Sequence, residues 1–413
     1  MTEGAKFSSL FDTSTGNVYR VNKAGLRVIK AGLEGATVGE VVATDPDAAE
    51  FLNEMAQLGL IEFLDSPPKR EEPPCPPEPR LKFAWLEVTS RCNLRCVHCY
   101  EEAGDVEREE MSTGEWENII SQLAAMGCSA MQFTGGEPLL RDDVLDLMEH
   151  AKAKGVETLE IFTNATLMNE DVAKGLARLG ALAAVSLYSY RPETHDKVTR
   201  VRGSFERTLR GIKLLKAHRV PVRVSVIAMS VNEKDIPGTM KFLKELGVSF
   251  RPPDPVRPSG RGRRRDLEPK KYGKSFVMRS PMFWATKETF ALSTRWNPCW
   301  FGKAAIASNG DVMPCVFARE LVVGNVREKL VKEVVLGDAM LELWGLNKDK
   351  IEVCRDCEYR YLCHDCRPLA YGYTGNLYAK TARCAYNPYT GTWEEGPARS
   401  RKTQTCPGQP GCS

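Results

Sequence analysis

The chain has 413 residues, 42% of them hydrophobic, and a formal net charge of +3 at pH 7. This length allows two or three domains with well-formed cores, and the near-neutral charge gives no general case for a nucleic-acid or membrane partner. The first residues lack a basic start and an apolar core. No apolar run approaches the roughly 18 residues of a spanning helix. We therefore predict a cytoplasmic protein.

Residues 1–65 have the pattern of a small separate α+β module. Its strand and helix patterns lie at 7–11, 17–21, about 23–32, 37–44 and 46–59, and 59–63. Their order resembles the winged-helix-like leader-peptide recognition element of ribosomal peptide maturases, the fold of the pyrroloquinoline quinone chaperone. That resemblance implies that the module binds the leader of a precursor peptide as an added strand. A DNA-binding winged helix is the alternative, although the module has no excess of Lys and Arg.

A proline-rich linker and an α/β region follow the module. Residues 66–80 contain seven prolines, a composition typical of a semi-rigid extended spacer. From 81 to 255, strand patterns alternate with helix patterns in six βα-like units, which predicts a parallel sheet. Six units suggest an incomplete barrel, in which the working loops lie at the carboxyl ends of the strands.

Three cysteines, Cys92, Cys96 and Cys99, follow the first predicted strand of this region at the spacing C-x3-C-x2-C. Three thiolates on one loop can hold three irons of a [4Fe–4S] cube and leave the fourth iron open. Structural zinc fits poorly, because it normally takes four ligands in two closely spaced pairs. The loop resembles the signature of the radical S-adenosylmethionine (radical SAM) superfamily, with His98 in the aromatic position. The resemblance implies a partial (β/α)6 barrel, SAM bound at the open iron, and a 5′-deoxyadenosyl radical.

Further segments at predicted strand ends resemble the same family. Gly135-Gly136-Glu137 resembles its GGE motif, in which glycines allow close approach and the glutamate accepts hydrogen bonds from the SAM ammonium. Two segments depart from the family pattern, with Ala165 in place of glycine and Tyr188 in place of aspartate. Alone, each polar residue is more often a cap or turn residue. By resemblance, the other SAM contacts come from His98, Tyr100, Asn164, Ser186, Asn232 and Arg200, with Arg202 as the alternative arginine.

The connecting segment 256–298 contains a basic run at 258–265. Such a run is usually a solvated, mobile loop. Contact with an acidic leader or core peptide is the second hypothesis for it.

Fourteen cysteines in a chain predicted to be cytoplasmic indicate metal binding, because thiols stay reduced in that compartment. Seven of them lie between 299 and 384 and resemble the SPASM domain, although the block C-x2-C-x5-C-x2-C has one residue fewer in its last gap. The resemblance implies two auxiliary clusters. The first takes Cys299, Cys315 and Cys366; the second takes Cys354, Cys357, Cys363 and Cys384. A substrate thiolate, Cys406 or Cys412 are the alternatives for the open position of the first cluster. A single zinc ribbon would leave three cysteines without purpose.

The predicted fold class is α/β, a partial barrel preceded by a small α+β module and followed by a cysteine-rich SPASM domain. Its predicted parts are a module at 1–65, a linker at 66–80, a barrel at 81–255, a connecting segment at 256–298, a SPASM domain at 299–390 and a flexible tail at 391–413. We expect a radical SAM enzyme that modifies a ribosomally made precursor peptide by a thioether or other crosslink. Flavodoxin or ferredoxin is the expected electron donor. The sulfatase-maturase reaction is disfavoured, because Val316 stands where those enzymes have a candidate base. A radical SAM enzyme of the haem-pathway type and a non-enzymatic zinc-binding adaptor are the alternatives.

Overall fold

The computed structural model describes residues 1–66, 75–104, 109–275, 278, 283 and 285–393. The greater part of the predicted linker and the tail with Cys406 and Cys412 therefore lie outside the described residues. None of the helices in this part of the chain combines the length and apolarity needed to cross a bilayer.

The amino-terminal module is a three-stranded antiparallel sheet followed by three helices. Its elements are β1 (Thr2–Glu3), β2 (Ser8–Phe11), β3 (Val18–Val21), α1 (Lys23–Glu34), α2 (Val38–Thr44) and α3 (Ala48–Gln57). The predicted third strand at 59–63 is wrong. The third strand is instead β1, which pairs with β2 and occupies one edge of the sheet. Helix α2 begins where sequence chemistry favours it, at a capping box between Thr37 and Glu40.

The central region is an α/β unit with a largely parallel sheet, as predicted. Its elements are β4 (Phe83–Thr89), α4 (Thr113–Ala125), β5 (Ala130–Gly135), α5 (Val144–Ala153), β6 (Thr158–Thr163), α6 (Glu170–Leu179), β7 (Leu182–Ser186), α7 (Pro192–Thr199), α8 (Ser204–Ala217), β8 (Val222–Ser225), β9 (Ile227–Ala228), α9 (Ile236–Leu246), β10 (Ser249–Phe250) and β11 (Asp254–Pro255). Strands β4 to β8 and β10 follow one another in parallel, whereas β9 and β11 form a separate pair. Helix α7 was not among the predicted helices.

The carboxyl-terminal region adds strands to the same sheet. Its elements are α10 (Lys270–Ser275), α11 (Lys287–Arg295), β12 (Lys303–Ile306), β13 (Asp311–Met313), β14 (Gly324–Asn325), α12 (Val331–Val335), α13 (Asp338–Trp344), α14 (Arg367–Thr374), β15 (Tyr386–Asn387) and β16 (Thr392–Trp393). Strand β12 pairs in parallel with β4, and β13 and β14 continue the sheet as antiparallel strands. The cysteine-rich region is therefore joined to the first barrel strand by backbone hydrogen bonds.

The main core lies between the sheet and its helices. Trp116 and Ile120 of α4 and Phe133 of β5 are fully buried there. Because the strands are parallel, the loops after β4, β5, β6 and β7 meet at one edge of the sheet. This edge carries the residues that the sequence singled out.

The amino-terminal sheet packs against the cysteine-rich region. The backbone N–H of Ala5 donates to the carbonyl of Asp356 at 2.7 Å, and the Ser9 hydroxyl donates to the carbonyl of Glu358 at 2.6 Å. The rings of Phe11 and Phe290 stack with their centres 5.5 Å apart. The module therefore has a fixed position on the rest of the chain.

Candidate active site

The three cysteines of the first loop face one cavity. Cys92, Cys96 and Cys99 all line a space of about 160 Å³ at the carboxyl edge of the sheet. Burial, followed by the neighbouring Cys99 and Cys92 thiols, raises the pKa of Cys96. A backbone hydrogen bond joins the loop to α7, because the N–H of Val97 donates to the carbonyl of Val198 at 2.9 Å. The structure thus brings together the three thiols that the spacing predicted.

Gly135 and Gly136 lie against the backbone that leads into this loop. A Cβ on Gly135 would lie 2.2 Å from the carbonyl oxygen of Thr89, and a Cβ on Gly136 would lie 2.2 Å from that of Arg91. Gly135 also has a φ of +122°, which side-chain-bearing residues rarely adopt. Both glycines line the cavity. The glycine pair is therefore required for the two loops to pack together.

Glu137 is fully buried and its carboxylate already has three protein donors. It accepts from the N–H of Leu139 at 3.1 Å, the hydroxyl of Thr163 at 2.6 Å and the N–H of Asn164 at 2.7 Å. Burial raises the pKa of Glu137 to about 7, although these hydrogen bonds oppose the rise. In this structure the carboxylate ties the end of β5 to the end of β6. The SAM contact at Glu137 stays a prediction, because its side chain is not on the described cavity wall.

His98, Tyr100, Asn164 and Ser186 all line the cavity, and their contacts with SAM stay predictions. Burial, and then the charge of Arg261, lowers the pKa of His98 to about 4, so the imidazole is neutral near pH 7. The amide nitrogen of Asn164 donates to Asn93 Oδ1 at 2.8 Å. These four residues stand close enough to the three thiols to contact a ligand bound beside them.

Tyr188, which departs from the family pattern, reaches the cysteine loop. Its buried side chain lines the cavity together with Cys96 and Ser186, and burial, followed by the charge of Cys96, raises the pKa of Tyr188. Its ring meets that of His98 edge to face, with the centres 4.8 Å apart. A phenol therefore stands beside a predicted cluster ligand, which the sequence pattern did not indicate.

Arg200 and Asn232 lie away from the described cavity wall. Arg200 is exposed at the end of α7, where its φ is +58°. Asn232 is buried, and its amide nitrogen donates to the carbonyls of Tyr188 at 2.7 Å and Ile227 at 2.8 Å. Its side chain holds the loop after β7 against β9. The SAM contacts of both residues stay predictions that these positions do not favour.

The cavity-lining residues that the sequence reasoning missed include Arg257, Arg261 and Phe317. Arg261 belongs to the basic run that was expected to be a solvated loop. Instead its Nε donates to the carbonyl of Cys96 at 3.0 Å, and its backbone N–H donates to that of Cys99 at 2.9 Å. A Cβ on Gly260 would lie 2.4 Å from the carbonyl oxygen of Tyr100. The alternation Gly-Arg-Gly at 260–262 was the available signal for this close packing.

Several of the later cysteines are electrostatic neighbours within the predicted groups, and the two ligand sets stay predictions. Burial, and then Cys299 and Cys366, raises the pKa of Cys315 to about 12. Burial raises the pKa of Cys363 to about 12 as well, and its cysteine neighbours are Cys354 and Cys384. Cys357 belongs to the second group, since Cys363 and Cys354 are among the groups that raise its pKa.

A single zinc ribbon does not match these positions. In the described part of the chain, no three side chains of His, Cys, Asp or Glu stand close enough to share one metal ion. Thiolates of a [4Fe–4S] cube stand farther apart than ligands of one ion, because irons and sulfides lie between them.

Two family models match the chain where these groups lie. Residues 86–243 match the radical SAM superfamily, and residues 299–358 match the iron–sulfur cluster-binding SPASM domain. The chain carries a radical SAM domain followed by a SPASM domain. The first domain implies SAM and a [4Fe–4S] cluster, and the second implies auxiliary iron–sulfur clusters. The loop with three thiols fits a [4Fe–4S] cluster. The two glycines beside it, where any Cβ would clash, leave room for SAM.

The radical SAM and SPASM chain has curated relatives with several activities. It is 29% identical to an AdoMet-dependent heme synthase of Methanosarcina barkeri over 349 residues, which are 75% of this chain and 97% of that protein. It is 39% identical to the Fe-coproporphyrin III synthase of the same organism, over 38% of this chain and 40% of that one. A probable GTP 3′,8-cyclase of Methanocaldococcus jannaschii is 34% identical over 40% of this chain and 55% of that one.

Solved structures share the fold over more of the chain. Streptococcus suis SuiB bound to S-adenosylmethionine has a TM-score of 0.60 at 14% identity and covers 93% of this chain and 100% of its own. Tagged anSMEcpe with bound AdoMet has a TM-score of 0.56 at 18% identity and covers 76% of this chain and 91% of its own. At these identities the likeness concerns the fold alone.

Proposed function

We propose that this radical SAM enzyme modifies a ribosomally made precursor peptide, with a thioether or another crosslink as the product. The observation that carries the proposal is the amino-terminal sheet, which is fixed on the SPASM region and whose β3 edge has no further strand partner among the described residues. Strand β3 pairs with β2 along one side, from Val18↔Phe11 to Val21↔Ser8. No other described strand pairs with its second side. An open edge of this kind suits an extended peptide that adds as a further strand.

The docking of this sheet supports leader binding over an independent role for the module. Contacts from Ala5 and Ser9 hold the sheet against residues that flank Cys357 of the second cysteine group, and Phe11 stacks on a ring of α11. A leader on β3 would therefore have a defined distance from the cavity. SuiB has been solved with precursor peptide SuiA, and its fold covers 93% of this chain at a TM-score of 0.57 and 14% identity. The part of this chain that the SuiB structure leaves uncovered is shorter than the amino-terminal module.

The side chains of the site have separable tasks in this proposal. Cys92, Cys96 and Cys99 would hold the cluster, and bound SAM would supply a 5′-deoxyadenosyl radical that removes a hydrogen atom from the peptide. Arg261 fixes the cysteine loop through the carbonyl of Cys96, and Tyr188 lines the cavity beside it. The cavity lies at the junction of the two domains, since Phe317 of the SPASM region lines it together with the cysteine loop.

The first SPASM group is suited to a substrate thiolate. Cys299, Cys315 and Cys366 supply three ligands, which leaves one position of a [4Fe–4S] cluster open. Metal binding favours deprotonation of a thiol. Val316, beside Cys315, is buried in an apolar cluster with Ala305 and Met313 and cannot accept a proton. These features favour coupling to sulfur over side-chain oxidation that needs a base at this position. Flavodoxin or ferredoxin is our proposed electron donor.

A tetrapyrrole substrate is the second candidate. Its support is the 29% identity over 97% of a heme synthase. The described residues that line the cavity also include two arginines and no Asp or Glu, and guanidinium groups suit the propionate carboxylates of such a ring. The amino-terminal module has no role in this alternative.

The two candidates are separated by offering both substrates to anaerobically reconstituted protein with SAM and dithionite. One probe is a precursor peptide encoded beside its gene, with a leaderless form of that peptide as the matched control. The other probe is Fe-coproporphyrin III. We expect 5′-deoxyadenosine and a loss of two hydrogens from the full peptide, and no mass change of the leaderless form. Consumption of Fe-coproporphyrin III with an unchanged peptide would instead support the tetrapyrrole candidate.

A further inference from the structure

Arg257 stands between the radical SAM cavity and the first SPASM cysteine group. It follows β11 at the end of the central region, and its side chain lines the cavity together with the three cysteines of the first loop. The side chain is only 18% exposed. Burying a charged guanidinium costs free energy unless partners compensate for the lost hydration, and the structure supplies three such partners.

The first partner is a predicted cluster ligand. Arg257 Nη1 lies 2.6 Å from the sulfur of Cys366, which is 109 residues away in the chain. The second partner is Asp254, whose Oδ2 is 3.1 Å from Nη2. The third is the ring of Phe317, whose centre is 5.0 Å from the guanidinium carbon. Together these contacts fix the guanidinium against Cys366 on the cavity side.

Asp254 lies between two guanidinium groups. It also faces Arg383, whose Nη2 is 3.8 Å from its second oxygen. The positive charge of Arg257 is in direct contact with Cys366. Phe317 connects the same place to the cysteine group, because its N–H contacts the sulfur of Cys315 at 3.3 Å.

Hydrogen bonds to ligand sulfurs and nearby charges are main determinants of iron–sulfur reduction potentials. A donor and a positive charge stabilise the reduced state, which carries one more negative charge. We propose that Arg257 is a positioning residue that raises the reduction potential of the group held by Cys299, Cys315 and Cys366. Its role is electrostatic, and no bond forms or breaks at the guanidinium. This inference rests on the ligand assignment made under the proposed function.

The test uses the full chain with Cys92, Cys96 and Cys99 replaced by alanine, so that the remaining signals come from the SPASM groups. Arg257→Gln is added to this background, and the midpoint potential is measured by a reductive titration followed by electron paramagnetic resonance without SAM. We expect reduction to become about tenfold less favourable, which is a fall of about 59 mV for a one-electron couple. Arg264→Gln is the matched control, since this exposed arginine pairs with Asp266 at 2.6 Å and should leave the potential unchanged.

A second variant should change the midpoint potential in the opposite direction. Asp254→Asn removes the shared carboxylate and leaves the charge of Arg257 less compensated, so the potential should rise. It keeps the inference testable if Arg257→Gln does not fold. An unchanged midpoint in iron-loaded Arg257→Gln protein would overturn the inference and leave the ligand assignment intact. Loss of all iron from the background variant would overturn both.

Discussion

Replacing Cys92, Cys96 and Cys99 together with alanine is expected to remove about four irons per chain and to abolish cleavage of SAM. The reason is their common position, since all three thiols face one cavity and are the ligands of one cube in the proposed assignment. The seven later cysteines form two separate groups, so their irons should remain. Anaerobically reconstituted wild-type protein should carry about twelve irons, and the triple variant about eight. Iron and sulfide analysis with an absorption spectrum measures both.

Cys128→Ala is the matched control for this experiment. Cys128 is buried, and its thiol donates to the carbonyl of Ala130 at 3.3 Å and lies outside all three cysteine groups. Its loss should leave the iron content unchanged. About one zinc per chain with almost no iron would contradict the cluster assignment and favour a zinc-binding adaptor.

The positions that the sequence predicted well share a local origin. A cysteine loop directly after a strand, and a glycine pair at the end of the next strand, lie where parallel strands must place them. The strand pattern placed Cys92 and Gly135 at strand ends, and the resemblance to family motifs gave them a role. The same holds for Asn164, which follows β6, and Ser186, which ends β7, and both residues line the cavity.

The residues that were missed depend on contacts between distant segments. Arg261 reaches the carbonyl of Cys96 across 165 residues, and Arg257 reaches Cys366 across 109. No local pattern distinguishes such an arginine from a solvated one, because the difference arises when two regions pack. Glu137 was placed correctly along the chain. Its side chain turned toward Thr163 and Asn164, because a buried carboxylate takes the nearest donors.

The pairing of β12 with β4 also depends on contact between distant segments and was not predicted from the sequence. More than 200 residues separate the two strands, and a parallel pair leaves no turn signal at its ends. The sequence therefore indicated a separate cysteine-rich domain, whereas the structure continues the barrel sheet into it. This continuity brings the SPASM loop at 315–321 beside the cysteine loop, and it places one buried ion pair at the junction.

That ion pair, between Arg319 and Glu87, is the basis of the second large prediction. Arg319 Nη1 lies 2.8 Å from both carboxylate oxygens of Glu87, whose side chain is fully buried on β4 five residues before Cys92. Although burial lowers it, the charge of Glu87 raises the pKa of Arg319 above its ordinary value. Arg319→Met would leave a buried carboxylate without its cation, which typically costs about 3–5 kcal/mol. We expect a clearly lower Tm and a partial loss of iron from the first loop.

A double variant distinguishes the effect of the two charges on stability from the effect of side-chain volume. Glu87→Met with Arg319→Met removes both charges and keeps a similar volume, so most of the lost stability should return. Arg327→Met is the control, since this arginine also joins the two regions through Glu115, but at the surface, where ion pairs contribute little. Anaerobic thermal unfolding of the reconstituted proteins compares all four. A wild-type Tm for Arg319→Met would mean that the β12–β4 pairing alone holds the SPASM region in place. A low Tm recovered in the double variant would show that the charge of Glu87 makes the domain junction depend on Arg319.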